Sequence, residues 1–293
     1  MPASSRSSRT KRARRTAAPR SASTAGRATV AVPPPAAAQP GWTNPLKAKL
    51  LAGERVVGAV ITVNNPEVAA QIASFGFDFL WIDMEHTAVT LEGLRNMVLA
   101  TRGLPAIPLA RPPINELWTA KRVLDLGVLG VIFPFTHDAQ LARQAVAACR
   151  YPPHGRRGSG APLAAFRWPE AGNYYDFADA NVLVIAIIED RLGLENVEEI
   201  VATPGIDVIY VGTSDLALSL GFREHNGGPE VEAAVARIVA AAKAQGKILG
   251  CPGLTPAQIE RRTAQGFQFF MTLTDWELMA AGAKQLLEPL RRA

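Results

Sequence analysis

The sequence predicts a (β/α)₈ barrel that follows a basic N-terminal extension. From residue 44 onward, eight short apolar runs alternate with segments whose apolar residues recur at helical spacing. The runs are uninterrupted, as expected of parallel strands buried on both faces. A body of about 250 residues also suits this barrel. The competing fold is a doubly wound open sheet, which calls for a glycine-rich turn after its first strand. The segment after the first run, residues 63–66, contains no glycine.

The elements follow one another in a regular order along the body. The apolar runs predict strands at Val56–Val63, Phe79–Asp83, Ile107–Arg111, Val131–Phe135, Leu183–Ile188, Val208–Val211, Ile248–Cys251 and Phe269–Thr272. The periodic segments predict helices at Pro66–Phe75, Leu91–Arg102, Glu116–Leu126, Ala139–Cys149, Leu192–Val201, Glu230–Gln245, Pro256–Gln265 and Asp275–Arg292. The remaining long segment, Tyr151–Asn181, is predicted to be a loop that serves as a lid or a subunit contact, with a packed surface loop as the alternative.

The extension, residues 1–43, differs in composition from the body. It is rich in Ser, Ala, Arg and Pro, and it carries eight of the 31 basic residues but none of the 26 acidic ones. Such a segment cannot bury enough apolar surface to fold, so we expect disorder. A solvated extension, an organellar transit peptide and a phosphate-binding arm all remain open. Bacterial-type cytoplasmic localisation is expected, with organellar targeting as the alternative.

Composition excludes several classes of function for the body. Without the extension the chain is slightly acidic, which argues against nucleic acid as its main partner. No apolar run is long enough to span a membrane. The two cysteines, Cys149 and Cys251, have apolar neighbours and form no CxxC pair. We therefore expect core thiols and neither a disulfide nor a cysteine-ligated zinc site.

Charged residues cluster where predicted strands end, and the chemistry of a barrel lies at those carboxyl ends. Glu189 and Asp215 follow neighbouring strands, so their carboxylates should lie close together. They could form an acid/base pair, or they could ligate a hard divalent cation. The structural alternative is that they cap the helices that follow. None of the body's six lysines ends a strand, which argues against a Schiff-base mechanism.

Three further features surround this pair. His86 follows a buried strand and could act as an acid/base, or simply satisfy local hydrogen bonds. Arg111 could stabilise an oxyanion, or pair with Asp83 or Glu85. The segment Gly212, Thr213 and Ser214 leads from a strand into a helix, where backbone amides bind anions such as a carboxylate.

Taken together, residues of about 44–290 resemble the HpcH/HpaI aldolase family. The matching motifs are Asn44-Pro45-Leu46-Lys47, Ile82-Asp83-Met84-Glu85-His86, Ala110-Arg111-Pro112, Leu124-Asp125-Leu126-Gly127, Arg150-Tyr151-Pro152-Pro153 through Gly158, Ile188-Glu189 and Gly212-Thr213-Ser214-Asp215-Leu216. Each motif is short, but their order and spacing over most of the body are specific.

The resemblance implies a (β/α)₈ barrel that binds Mg²⁺ or Mn²⁺, with Co²⁺ as a further choice, through Glu189 and Asp215. It implies reversible cleavage of a 4-hydroxy-2-oxo acid into pyruvate and an aldehyde by way of a metal-bound pyruvate enolate. His86 would be the acid/base, tuned by Asp125, and Arg111 would stabilise charge on the reacting oxygens. Asp83 and Glu85 would support these groups.

The resemblance also bears on the substrate site and on assembly. Backbone amides around Gly212, Thr213 and Ser214 would hold the substrate carboxylate. Ile187 stands where the family archetype has a glutamine that contacts substrate, and isoleucine cannot donate a hydrogen bond. A homo-oligomer, trimer or hexamer, is implied, often with the last helix exchanged between neighbours. The alternatives are a lyase acting on a CoA thioester, like the citrate lyase β-subunit, a decarboxylase, and a non-catalytic protein that binds through its extension.

Overall fold

The computed structural model describes residues 42–160, 162–169, 172–223 and 228–291. The extension predicted over residues 1–43 therefore lies outside the described residues, except for its last two. Of these, Trp42 packs against Trp168 and Phe177, with ring centroids 4.8 and 5.7 Å apart.

Eight parallel strands close into a barrel in the order of the sequence, which confirms the predicted fold class. The strands are β1 (Val56–Ile61), β2 (Phe79–Asp83), β3 (Ile107–Arg111), β4 (Gly130–Phe133), β5 (Leu183–Ile188), β6 (Val208–Val211), β7 (Ile248–Pro252) and β8 (Phe267–Thr274). Nearly every strand residue is buried, because the barrel covers one face and the outer helices cover the other.

Helices follow the strands and pack outside the barrel. They are α1 (Pro45–Leu51), α2 (Pro66–Ala73), α3 (Leu91–Ala100), α4 (Leu117–Leu124), α5 (Ala139–Cys149), α6 (Pro162–Arg167), α7 (Tyr174–Asn181), α8 (Arg191–Glu195), α9 (Val197–Val201), α10 (Thr213–Leu220), α11 (Pro229–Ala244), α12 (Pro256–Ala264) and α13 (Asp275–Leu287). Several start at a side chain that accepts backbone amides. Asn65 accepts from Glu67, and Thr274 forms a reciprocal capping box with Glu277.

Besides shifted element ends and the additional helices α1 and α10, the structure differs from the predicted elements in two places. The helix predicted over Leu192–Val201 is divided into α8 and α9 at Asn196, whose side chain donates a hydrogen bond to the carbonyl of His137. The predicted loop Tyr151–Asn181 contains α6 and α7. Its apolar residues pack onto the barrel end, and this tertiary packing is not visible in local periodicity.

Two further features concern the cysteines and the lengths of the helices. Both cysteines are buried and unpaired, as predicted. Among the described helices, none combines the length and the apolar character that crossing a membrane would require.

Aromatic rings fill the amino-terminal end of the barrel. The rings of Phe79 and Phe269 stack with their centroids 4.3 Å apart. Gly58 leaves room for this pair, since a Cβ at that position would lie 2.2 Å from the Phe79 ring. The stacked rings of Phe79 and Phe269 close the amino-terminal end of the barrel, so the carboxyl-terminal end is left for a cavity.

We predict that Gly58→Ala destabilises the protein by about 1–3 kcal/mol, because the added methyl overpacks the Phe79 ring. The free energy of unfolding, measured by urea titration with circular dichroism, checks this. Gly282→Ala in α13 is the matched control, since a Cβ there meets no atom within 4 Å. That variant should be unchanged or stabilised by about 0.5–1 kcal/mol. Equal stability of the Gly58→Ala variant and wild type would contradict the packing described.

Candidate active site

A cavity of about 610 Å³ opens at the carboxyl ends of the strands. Its walls include Thr62, Asp83, His86, Arg111, Glu189, Gly212, Thr213, Ser214, Asp215, Thr272 and Trp276, and the deeper Val60, Trp81, Ile187, Tyr210 and Met271. Residues two apart on one strand appear in pairs, such as Ile187 with Glu189, because alternate side chains point into the barrel. The cavity therefore has an upper layer of charged residues and a deeper floor.

Glu189 is almost completely buried in the cavity, with only 3% of its surface exposed, as is Asp83. Its Oε1 accepts a 2.7 Å hydrogen bond from the backbone N–H of Phe135. Phe135 has a φ of 45°, an uncommon and strained conformation for a bulky residue. Strand β4 ends at Phe133, and the next residue, Pro134, has no N–H to continue the hydrogen bonding of the sheet. The strained turn directs the Phe135 N–H towards Glu189, and this hydrogen bond holds the Glu189 side chain in one orientation.

The environment of Glu189 disfavours its negative charge. Burial is the largest of the effects that together raise its pKa to about 7; the Phe135 N–H acts to lower the pKa, and the nearby carboxylates of Glu85 and Asp215 act to raise it. Arg111 opposes this only in part. A cation bound next to Glu189 and Asp215 would instead stabilise the negative charge of Glu189.

Asp215 lies on the neighbouring element, at the third position of α10. Gly212 precedes the helix, and no side chain caps it. The amides of the first turn therefore border the cavity, where they can bind an anion. This is the arrangement expected for a substrate carboxylate.

The residues present fit a hard divalent cation. Glu189 and Asp215 offer carboxylate oxygens, the ligands that Mg²⁺ and Mn²⁺ prefer. Gly212 leaves room beside the Glu189 carboxylate, because a Cβ there would lie 2.8 Å from Glu189 Oε2. Within the described ranges no three His, Cys, Asp or Glu side chains converge on one point. Such an ion would need its other ligands from water and substrate, as is usual for Mg²⁺.

Arg111 is held by two carboxylates. Its Nε and one terminal nitrogen donate to both oxygens of Asp83 at 2.8 Å, and its other terminal nitrogen lies 2.9 Å from Glu85. Burial raises the pKa of Glu85, and Arg111 offsets part of that rise. The bidentate pair fixes the guanidinium plane at the edge of the cavity. Both sequence readings of Arg111 are thus compatible, since an ion-paired arginine still faces the substrate space.

His86 lines the mouth of the cavity, and its side chain is 60% exposed. Its Nε2 lies 3.6 Å from a Glu85 oxygen. Asp125, which the resemblance pairs with His86, follows α4 and accepts a 3.1 Å hydrogen bond from Arg157. In the described part of this chain, no contact joins Asp125 to His86. The structure thus gathers the other predicted site residues around one cavity and leaves Asp125 apart.

Sequence reasoning missed three residues of this site. Phe135 contributes only its backbone, and no side-chain pattern signals that role. Trp81 and Tyr210 look like ordinary residues of apolar strands. However, each carries a polar atom and points into the barrel, since it stands two residues before Asp83 or Gly212, respectively. That two-residue spacing is the signal that could have found them.

We predict that the burial of Glu189 makes metal-free wild type pH-sensitive. A raised native pKa stabilises the fold below the unfolded value of 4.5, and this contribution is lost as the pH rises through about 7. Compared with Glu189→Gln, wild type should lose about 3 kcal/mol of unfolding free energy between pH 4.5 and pH 8. Urea titrations in EDTA at both pH values measure the difference.

The control is Glu54→Gln, an exposed glutamate just before β1 at the other end of the barrel. This variant measures the effect of removing a carboxylate that does not line the cavity. If the difference between Glu189→Gln and wild type were the same at both pH values, the electrostatic description of Glu189 would be wrong.

Comparison with known proteins agrees with this geometry. The HpcH/HpaI aldolase/citrate lyase family profile matches residues 58–274. The chain is 35% identical over 249 residues to a hydroxypyruvate/pyruvate aldolase of Cupriavidus necator, covering 85% of this chain and 93% of that protein. It is 32% identical over 246 residues to a 2-keto-3-deoxy-L-rhamnonate aldolase of Escherichia coli, covering 84% and 92%.

A solved structure shows the same architecture. An HpcH/HpaI aldolase/citrate lyase family protein from Burkholderia cenocepacia superposes with a TM-score of 0.79 at 33% identity, over 85% of this chain and 100% of that one. Fold, profile and relatives agree, and the chain therefore belongs to the HpcH/HpaI aldolase/citrate lyase family.

Proposed function

We propose that this protein is a divalent-metal-dependent aldolase that reversibly cleaves a 4-hydroxy-2-oxo acid into a pyruvate-type acid and an aldehyde. The observation that carries the proposal is the pairing of two carboxylates, Glu189 and Asp215, in one cavity with Arg111 and a helix N-terminus. The aldolase names of the relatives support the same reaction class.

The cavity holds the 2-oxo acid at two points. The first-turn amides of α10, from Thr213 to Asp215, bind its carboxylate. Arg111, oriented by Asp83, faces the carbonyl oxygen and stabilises negative charge there. A Mg²⁺, Mn²⁺ or Co²⁺ ion held by Glu189 and Asp215 would supply Lewis-acid stabilisation of the same charge.

His86 moves the proton in this scheme. Its exposed Nε2 takes the proton of the substrate's 4-hydroxyl group, and the bond between C3 and C4 breaks. The electron pair of that bond moves onto the 2-oxo group as an enolate, and the aldehyde leaves. The proton then returns to C3, which yields the pyruvate-type acid. A Glu85 carboxylate oxygen lies 3.6 Å from the Nε2 atom of His86.

Asp125 and the oligomeric state belong together in this proposal. Asp125 contacts Arg157 within its own chain, so tuning of His86 by Asp125 would require a second copy of the chain. The exposed apolar side chains of Met279, Leu286 and Leu290, on and after α13, support association of copies. The trimer or hexamer is the assembly that the family resemblance implies. The proposed location of the protein is the cytoplasm.

Decarboxylation is the second candidate. Ile187 lies in the cavity where the family archetype has a glutamine, so one polar substrate contact is replaced by an apolar one. A 2-oxo acid that loses CO₂ at its far end would give the same enolate. Release of CO₂ from oxaloacetate without aldehyde turnover would favour this candidate.

We predict that the protein exchanges the methyl protons of pyruvate for deuterium in D₂O containing Mg²⁺ or Mn²⁺, since exchange requires only the enolate half of the reaction. Proton NMR follows the loss of the methyl signal. EDTA, Glu189→Gln and Asp215→Asn should each slow exchange by roughly a hundredfold or more.

Asp138→Asn is the matched control, because Asp138 caps α5 at the same end of the barrel but does not line the cavity. Asparagine caps helices equally well, so this variant should exchange at the wild-type rate. Absence of exchange by wild type with every divalent metal tried would overturn the proposal.

A further inference from the structure

The floor of the cavity carries two buried polar atoms without partners. The floor consists of Val60, Trp81, Ile187, Tyr210 and Met271. Trp81 and Tyr210 are 1% and 2% exposed, and neither the indole Nε1 nor the phenol oxygen has a hydrogen-bond partner among the described residues. Nine buried side-chain polar atoms of the described residues lack a partner, and of these only the two on Trp81 and Tyr210 belong to residues that line the cavity, where a ligand could pair with them.

The two rings are fixed relative to each other. Their centroids lie 5.0 Å apart in an edge-to-face arrangement, and the Arg111 guanidinium lies 5.4 Å from the Trp81 ring. Tyr210 pairs in register with Ile187 on the neighbouring strand. The aromatic pair therefore borders the position where the family archetype has its glutamine, and it supplies polar atoms that Ile187 lacks.

We propose that Trp81 and Tyr210 form a subsite that binds a hydroxyl group on C3 of the 2-oxo acid, so that hydroxypyruvate-type donors are preferred to pyruvate. The substrate assignment rests on the aldolase function proposed above. The two residues act as specificity determinants and take no part in proton transfer.

The chemistry of the pair matches a hydroxyl group. An indole N–H only donates, whereas a phenol can donate and accept. A hydroxyl group accepts from Trp81 and donates to Tyr210, so every polar atom is satisfied. Burial raises the pKa of Tyr210 well above its usual value, which keeps the phenol protonated.

Other groups fit the floor less well. A carboxylate there would be surrounded by Val60, Ile187 and Met271, with no unpaired cation among the floor residues to offset its desolvation. A methyl group would leave both donors unpaired. Sites built to hydrogen-bond a hydroxyl group discriminate strongly against the analogue that lacks it.

The test compares deuterium exchange at C3 of hydroxypyruvate and of pyruvate, each corrected for the rate without enzyme, in wild type, Tyr210→Phe and Trp81→Phe. The ratio of kcat/KM for hydroxypyruvate over pyruvate should fall roughly tenfold in each variant. A general loss of packing would lower both rates and leave the ratio unchanged. Tyr174→Phe is the matched control, because it removes the hydroxyl group of a buried tyrosine that does not line the cavity.

A second experiment tests the subsite by ligand binding and does not require catalysis. Glycerate and lactate differ only in the C3 hydroxyl group, and their affinities with Mg²⁺ present can be measured by calorimetry on the full chain. Wild type should bind glycerate roughly tenfold more tightly, and Tyr210→Phe should abolish the difference. Equal affinities in wild type, or a difference that survives both substitutions, would overturn the subsite. Glycerate preference without exchange of either acid would instead overturn the aldolase function and leave the subsite intact.

Discussion

A buried carboxylate that lacks a full countercharge is the constraint on which the rest of the site depends. Glu189 is held by one backbone N–H and is surrounded by further negative charge from Glu85 and Asp215. Burying an ionised carboxylate without a partner is costly, and Arg111 is already shared with Asp83. The fold maintains this unfavourable arrangement, and a divalent cation would turn it into a binding site.

The barrel makes the arrangement possible because it brings distant segments to one end. The upper layer is drawn from strands β2, β3, β5 and β6, and the aromatic stack of Phe79 and Phe269 closes the opposite end. The strained backbone of Phe135 contributes in the same way, since local strain is used to aim a single N–H. Close packing around the strands offsets the free-energy cost of this strain.

Much of the architecture could be predicted from the sequence, for physical reasons. Strand periodicity and length identified the barrel, and charged residues at strand ends identified Glu189, Asp215, Arg111 and His86 as neighbours of one cavity. The division between α8 and α9 depends on a tertiary hydrogen bond from Asn196, and periodicity could not show it.

Other parts of the site lay beyond local sequence patterns. Phe135 acts through its backbone, and Trp81 and Tyr210 look like ordinary strand residues until the barrel turns their polar atoms inward. For Asp125 the opposite holds. A sequence motif suggested that it belongs to the site, but within one chain its carboxylate accepts a hydrogen bond from Arg157. Its role in the site stays a prediction.

The most direct test of the central claim is crystallographic. Crystals grown or soaked with Mn²⁺ and measured at the manganese absorption edge should show an anomalous peak between the Glu189 and Asp215 carboxylates, and crystals of Glu189→Gln should lack it. A peak elsewhere in the cavity, or none in wild type under conditions where the protein turns over substrate, would contradict the claim that this carboxylate pair is a cation site.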